Sequence, residues 1–308
     1  MKQATAFAPA GVGNVAVGFD LLGHVLDVPG LGDTVQVRCV ATPGVRITAI
    51  SGLPISVPLL AEQNTAGRAL LSLCAALELK HGLEVSIQKG IPLGSGLGGS
   101  AASAVAAVLA ANEVLGAPFT LEQLYPFALD GECAASGARH GDNVGAQLLG
   151  GLVLSNSRRC FALPVPAGLV ALVVHPDFVL ETRTARAALS APYPLGDFVA
   201  QNERLAGFLC ALYRDDLVLL RESLSDVLVE PRRAPLIPRF AEVKAAALSH
   251  DALGASISGA GPSVFAWFAS RAQALAAAAA MVGEFAAGGL SAQAYLAPVA
   301  GQGARLLH

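Results

Sequence analysis

The sequence predicts an α+β fold in two packed domains, and three observations carry that prediction. A chain of 308 residues has more length than one core usually needs. Strand-like runs and helical patterns are interleaved along it with no repeat period. Near the midpoint a polar break, SNSRRC with Pro164 and Pro166 beyond it, interrupts the apolar pattern. The border is expected there, giving domains 1–155 and 156–308.

In the first domain QATAFAP, GDTVQVRCV, GVRITAI and LEVSIQK read as strands, because β-branched and apolar residues dominate each run. EQNTAGRALLSLCAALELKHG reads as an amphipathic helix. Further helical patterns cover roughly 98–116, 120–130 and 141–149, and a short strand GGLVLS ends near Ser155. The second domain opens with a strand LVALVVHP and four helical patterns between 182 and 250. A strand pair around ALGASISGAGPSVFAWF, an alanine-rich helix and the strand SAQAYLAPV complete it.

Composition narrows the class. Apolar residues make up 54% and charged residues 14%, which raises the question of a membrane span. The longest apolar runs, 97–111 and 272–283, are mostly alanine and glycine and lack the Leu, Ile and Phe that drive insertion over about 20 residues. They are expected to be buried amphipathic helices. The N-terminal MKQATAFAPAGVG has one lysine and no apolar core, unlike a secretory signal, so a cytoplasmic location is expected. Five scattered cysteines, at 39, 74, 133, 160 and 210, have no metal-binding spacing and are expected to be reduced core thiols. A net charge of −3 with no basic block argues against nucleic acid as a partner.

The stretch IPLGSGLGGSAASAVAAVLAANEVLG has glycines 94, 96 and 99 in dinucleotide spacing, with Glu113 roughly 20 residues on. Glu113 lies inside the same helical run, however, where a dinucleotide fold needs a second strand first. A phosphate loop of the Walker type is excluded too, since no lysine follows the glycines. Glycines 94, 96, 98 and 99 remove Cβ atoms so that main-chain N–H groups can approach an anion, and the following helix points its positive end at the same place. A tight turn into a small-residue helix would explain the alanines. It would not explain four glycines and two serines within residues 94–100, so phosphate binding is the better account. Ser100 either caps the helix or ligates a magnesium ion on the phosphates.

DGECAASGARHGDNVGA is the richest polar cluster in the chain. Glu132 reads as a magnesium ligand opposite Ser100 or as a solvated helix-terminal carboxylate. His140 is as readily a packed histidine as a functional one, and Asp142 and Asn143 suit the cap of the next helix. In GNVAVGFD, Asn14 and Asp20 offer an amide and a carboxylate for an ammonium group, and both are equally at home in a turn. Four small residues, Ser258 to Gly261, would let the loop SISGAGPSV pack against the phosphate loop. Asn64 suits either an adenine contact or a helix cap.

PLGSGLGGSAAS resembles the phosphate-binding motif of the GHMP small-molecule kinases, PxxxGLGSSAA. APAGVGNVAVGFDLLG resembles their first motif, in the version of the members that phosphorylate homoserine, and SGAGPSVFA resembles their third. The three motifs fall in family order across nearly the whole chain; Gly99 departs from the usual serine and leaves only a backbone N–H. The resemblance implies an N-terminal βαβ-type domain around the phosphate loop, a ferredoxin-like C-terminal domain, and the site between them. It implies ATP and Mg2+ as cofactors, with the metal on Ser100 and Glu132. The nucleotide would lie on Pro92, Gly94, Ser95, Gly96, Leu97, Gly98, Gly99, Ser100 and Ala101, with Gly259, Gly261 and Asn64. The acceptor implied is homoserine and the product O-phosphohomoserine, in threonine biosynthesis. Asn14 and Asp20 would hold its ammonium and hydroxyl, making Asp20 a candidate base in a family usually described as transferring directly. His140 would touch the substrate, and Arg186 of TRTAR and Arg233 of EPRR match the family's arginines for the carboxylate, although both also suit solvated helix ends. The nearest rival is a member acting on another alcohol such as mevalonate, disfavoured by the two arginines alongside HGDN. Partners are therefore expected to be small molecules, with no membrane and a homodimer as the candidate assembly.

Overall fold

The computed structural model describes residues 2–52, 57–137 and 139–307, without the side chains of 135 and 136. In chain order the first half forms β1 (Gln3–Gly13), β2 (Leu22–Leu26), β3 (Gly32–Val40), β4 (Gly44–Ser51), α1 (Thr65–Ala76) and β5 (Gly82–Gln88). It continues with α2 (Gly99–Val114), α3 (Leu121–Ser136), α4 (Asp142–Leu149), β6 (Leu152–Ser155) and β7 (Cys160–Leu163). These strands make one sheet in the order β4-β5-β3-β1-β2-β6-β7. β4 and β5 run parallel and are joined through α1, the expected βαβ unit, while the other pairs of this sheet are antiparallel.

Every residue of α2 from Ala101 to Asn112 is buried. The helix is thus a core helix enclosed on all sides, where an amphipathic one was expected, and its small side chains are what let α1, α3, β1 and β3 come so close. On α3, a Cβ at Gly131 would fall 2.4 Å from the Thr65 carbonyl, so the α1–α3 contact also depends on a missing side chain.

The second half contributes β8 (Val170–Pro176), α5 (Thr182–Ala187), α6 (Leu195–Arg214), α7 (Leu217–Ser223), α8 (Glu230–Arg233) and α9 (Phe240–Ser249). Then come β9 (Gly254–Ile257), β10 (Val264–Phe268), α10 (Arg271–Ala287), β11 (Ala292–Pro298) and β12 (Arg305–Leu307). β11-β8-β10-β9 form a four-stranded antiparallel sheet. Counted within this half, that order is 4-1-3-2, the ferredoxin-like arrangement. Five α-helices lie between 182 and 250 where four patterns were read, α8 being a single turn. α10 buries Ala274, Ala277, Met281 and Phe285, one stripe at helical spacing, as expected.

SNSRRC is a hairpin turn, not a linker. Asn156 accepts hydrogen bonds from the Arg158 and Arg159 amides, both 2.8 Å, and β7 pairs back on β6. We propose that the division between domains falls after Leu163, near Pro164, in place of 155/156, and that β12 returns to the first sheet to pair with β1.

The two sheets meet at a buried latch. Trp267 Nε1 on β10 donates to His24 Nε2 on β2 at 3.1 Å, and both residues are fully buried. All five cysteines are free; Cys160 alone is buried and Cys210 is exposed, so the core placement expected of them holds for one. Among the described residues no helix is long and apolar enough to cross a membrane.

Candidate active site

After β5 the chain turns through Gly94, Gly96 and Gly98 at φ of 66°, 76° and 71°, a region that side chains rarely adopt. Gly98 is the N-cap of α2, so that the positive end of a helix buried from Ala101 to Asn112 opens on the loop. Space as well as conformation demands glycine here: a Cβ on Gly96 would lie 2.4 Å from the Ser258 carbonyl, and one on Gly98 2.6 Å from Asn143 Oδ1. The loop at 258–263 is therefore pressed against the glycine loop, as its small residues led one to expect. Ser258 Oγ donates to the Gly96 carbonyl at 2.8 Å, and Ser263 Oγ to the Ser95 carbonyl at 2.6 Å.

A buried lysine braces the loop from beneath. Lys89 pairs with the fully buried Asp33 and donates to Ser103 Oγ at 2.9 Å and to the Gly99 carbonyl at 2.6 Å. No lysine lies in the loop itself, yet this one fastens the first residue of α2. In sequence Lys89 is no more than a charge ending an apolar strand.

At its other end β1 runs into Asn14, Val15 and Ala16, with φ of 70°, 43° and 55°. Three successive non-glycine residues in the left-handed region are strained, the β-branched valine most of all. Tertiary bonds hold the turn: Asn14 Nδ2 donates to the Gly259 carbonyl at 2.7 Å, and Asn14 Oδ1 accepts from the Asp20 amide at 3.0 Å. Asp20 is thereby aimed at two bases, lying 3.1 Å from His140 Nδ1 and 3.0 Å from Arg186 Nη2. Burial by itself would raise the Asp20 carboxyl, but the hydrogen bonds and charges of His140 and Arg186 outweigh it and hold the group below its ordinary range.

Arg233 is 2% exposed, which removes the solvated helix-end alternative. Its Nε donates to the Ala185 carbonyl at 3.1 Å and its Nη1 to the Gly259 carbonyl at 3.0 Å. Among the described residues no carboxylate reaches it at ion-pair distance. Burial and then the neighbouring Arg186 charge both lower its affinity for its proton.

Glu132 is pushed up to about 7, by burial first, while a hydrogen bond with Ser100 pulls the other way. Asp142, raised to about 6 by burial and then by the Asp20 charge, is buried at the first turn of α4. The capping role expected of Asp142 and Asn143 is not what they do: Gly141 is the N-cap and neither side chain caps it. Asn143 sits instead beneath Gly11, Gly13 and Gly98.

A cleft of about 260 Å³ brings together Asn14, Asp20, Glu132, His140, Arg186 and Arg233, with residues 92–100 and Gly259 on its walls. Leu93, Asp142, Asn143 and Thr182 line it as well without having been expected to, and Ala260 lines it as part of the small-residue loop 258–261. Ala101 is buried behind the loop, and Gly261 backs Gly96 from outside the cleft. Asn64 also stands apart from it: Oδ1 accepts from the Ala66 and Gly67 amides at 3.0 and 3.3 Å, capping α1, and Nδ2 donates to the Pro58 carbonyl at 2.9 Å.

Comparison with known proteins identifies the family. Residues 64–151 match the GHMP kinases N terminal domain and 208–287 match GHMP kinases C terminal. The homoserine kinase of Xanthomonas campestris pv. campestris is 58% identical over 307 residues, covering 100% of this chain and 95% of its own. The chain belongs to the GHMP kinases, in their homoserine kinase branch. A homoserine kinase of Chlorobaculum tepidum is 39% identical over 324 residues, covering 100% of this chain and 99% of its own. The crystal structure of homoserine kinase from Cytophaga hutchinsonii superposes with a TM-score of 0.95 at 42% identity, over 100% of this chain and 98% of that one.

As a GHMP kinase the chain uses ATP with Mg2+. The donor set fits such a metal. Ser100 and Glu132 present a hydroxyl and a carboxylate side by side, and among the described residues no group of three acidic, histidine or cysteine side chains could hold an ion alone. Magnesium bound through one carboxylate takes its remaining oxygens from phosphates and water, and a carboxyl raised by burial regains its charge beside a cation.

Proposed function

We propose that this kinase transfers the γ-phosphoryl group of ATP to the side-chain hydroxyl of L-homoserine, giving O-phospho-L-homoserine for threonine biosynthesis. One observation carries the substrate class: opposite charges stand side by side in the cleft. Asp20 is ionised 3.0 Å from Arg186, and Arg233 is buried next to them with no carboxylate at ion-pair distance among the described residues. A carboxylate alone would suit the arginines and leave Asp20 unserved. A zwitterion serves both.

The α-carboxylate goes to Arg186 and Arg233, the ammonium to Asp20 with Asn14, and His140 borders the same corner. As the amino acid enters, Arg186 exchanges the Asp20 carboxylate for that of the substrate and Asp20 exchanges the guanidinium for the ammonium, so no buried charge is left alone. The low pKa of Asp20 makes it an orienting group and a weak general base at neutral pH. The phosphates rest on main-chain N–H groups of residues 94–101, with Pro92 and Leu97 shaping the turn, Gly259 closing the far wall and Gly261 supporting Gly96 from behind. Magnesium on Ser100 and Glu132 would neutralise charge on the phosphate oxygens. Asn64 has its amide committed to the cap of α1, so its part in seating adenine is to fix that helix start. Catalysis is then positioning and electrostatics around a hydroxyl held in line. The kinase is placed in the cytoplasm with its ATP supply; a homodimer would use the exposed apolar residues Leu195, Phe198 and Val199.

ATP consumption with magnesium across homoserine, mevalonate, galactose and threonine tests the substrate. Homoserine should be turned over fastest, and turnover of mevalonate with none of homoserine would overturn the proposal.

A further inference from the structure

We propose that Phe19 is a positioning residue for the substrate carboxylate, its ring holding the Arg186 and Arg233 guanidiniums together as one two-armed receptor. Its footing is the carboxylate role given to these arginines above. The Arg186 guanidinium carbon lies 5.5 Å from the centre of the Phe19 ring and that of Arg233 5.2 Å. Two cations gathered at one spot repel, and after burial the Arg186 charge is the next cause lowering the proton affinity of Arg233. Arg186 has Asp20 at hydrogen-bond distance to offset that repulsion, whereas Arg233 donates to the Ala185 and Gly259 carbonyls and feels the Asp20 and Asp226 charges with no ion pair among the described residues. The electron-rich face of an aromatic ring supplies attraction to both without a formal charge that would compete for the substrate's own carboxylate.

Burial does not explain the ring. Phe19 is only partly buried, whereas the other apolar residues of the turn, Val15 to Val17, are buried. The turn also fixes where it points. Gly18 N donates to the Asn14 carbonyl at 2.9 Å, Leu21 N to the Gly18 carbonyl at 2.9 Å, and Asp20 is held at a φ of 59°. Phe19 is thus fastened between the residue that takes the ammonium and the two that take the carboxylate, and their spacing is set by one ring.

Phe19→Leu keeps apolar bulk and removes the π face; Phe19→Tyr keeps both. Phe19→Leu should raise the homoserine KM on the order of tenfold with the ATP KM within about twofold, and Phe19→Tyr should stay within about twofold of the parent in both. An unchanged homoserine KM in Phe19→Leu, equal rises in both KM values, or a tyrosine variant as impaired as the leucine one would overturn the proposal. NMR of the arginine Nε–H groups gives a readout independent of substrate. Ring-current-shifted signals for Arg186 and Arg233 are expected in the parent and Phe19→Tyr and ordinary positions in Phe19→Leu. Unshifted signals in the parent would sink the pairing whatever the acceptor. Shifted signals in an enzyme inert to homoserine would instead sink the acceptor assignment and leave the pairing standing.

Discussion

His24 makes the stability of this kinase depend on pH in a way that can be worked out from two hydrogen bonds. The indole N–H of Trp267 is a donor only, so His24 Nε2 must carry a lone pair, and its Nδ1–H donates to the Val25 carbonyl at 2.8 Å. The neutral tautomer is therefore built into the latch between the sheets. Burial lowers the His24 pKa from 6.5 to about 4. The unfolded chain takes up the proton first as pH falls, so stability from this residue is complete above pH 6.5 and is lost between there and about 4. The full loss is about 3 kcal/mol, at about 1.36 kcal/mol per pH unit, and roughly 2 kcal/mol of it has gone by about pH 5. His24→Gln supplies an amide oxygen for Trp267 and an N–H for Val25 without a titrating group. Denaturant unfolding at about pH 7.5 and about pH 5 should show the parent losing roughly 2 kcal/mol more than the variant between the two conditions. Equal losses in parent and variant would mean that His24 is not held neutral.

Two further expectations bear on the cleft. Gly96→Ala combines a φ of 76° with a Cβ 2.4 Å from the Ser258 carbonyl, so about 2–4 kcal/mol of stability should be lost as the two loops part, with a rise in ATP KM. Thermal unfolding and ATP titration check it, and an unaltered ATP KM would refute the claim that the 258–263 loop sets the shape of the phosphate loop. Glu132→Gln should lower kcat by at least about a hundredfold and shift the magnesium titration to higher concentration; an unchanged titration would remove Glu132 from the metal's surroundings.

Local chemistry was legible and tertiary chemistry was not. β3 is legible to the residue because GDTVQVRCV sets its own pattern, and the phosphate loop is legible because glycines before a helix mean the same thing wherever the chain goes. β12 was missed, since its three residues become a strand only by pairing with β1 some 300 residues earlier. Lys89, Phe19 and the His24–Trp267 latch escaped for the same reason: each acquires meaning from a partner on another element. The turn after β1 is the sharpest case. In GVGNVAVGFD the permissive residues are Gly13 and Gly18, yet the left-handed conformation falls on Asn14, Val15 and Ala16 between them. Local propensity fails there because a bond from Asn14 to Gly259, 245 residues away, imposes the shape, and the product of that strain is the placement of Asp20. A local rule broken by a distant contact is itself a marker of function, and here it coincides with the corner of the cleft where the two signs of charge meet.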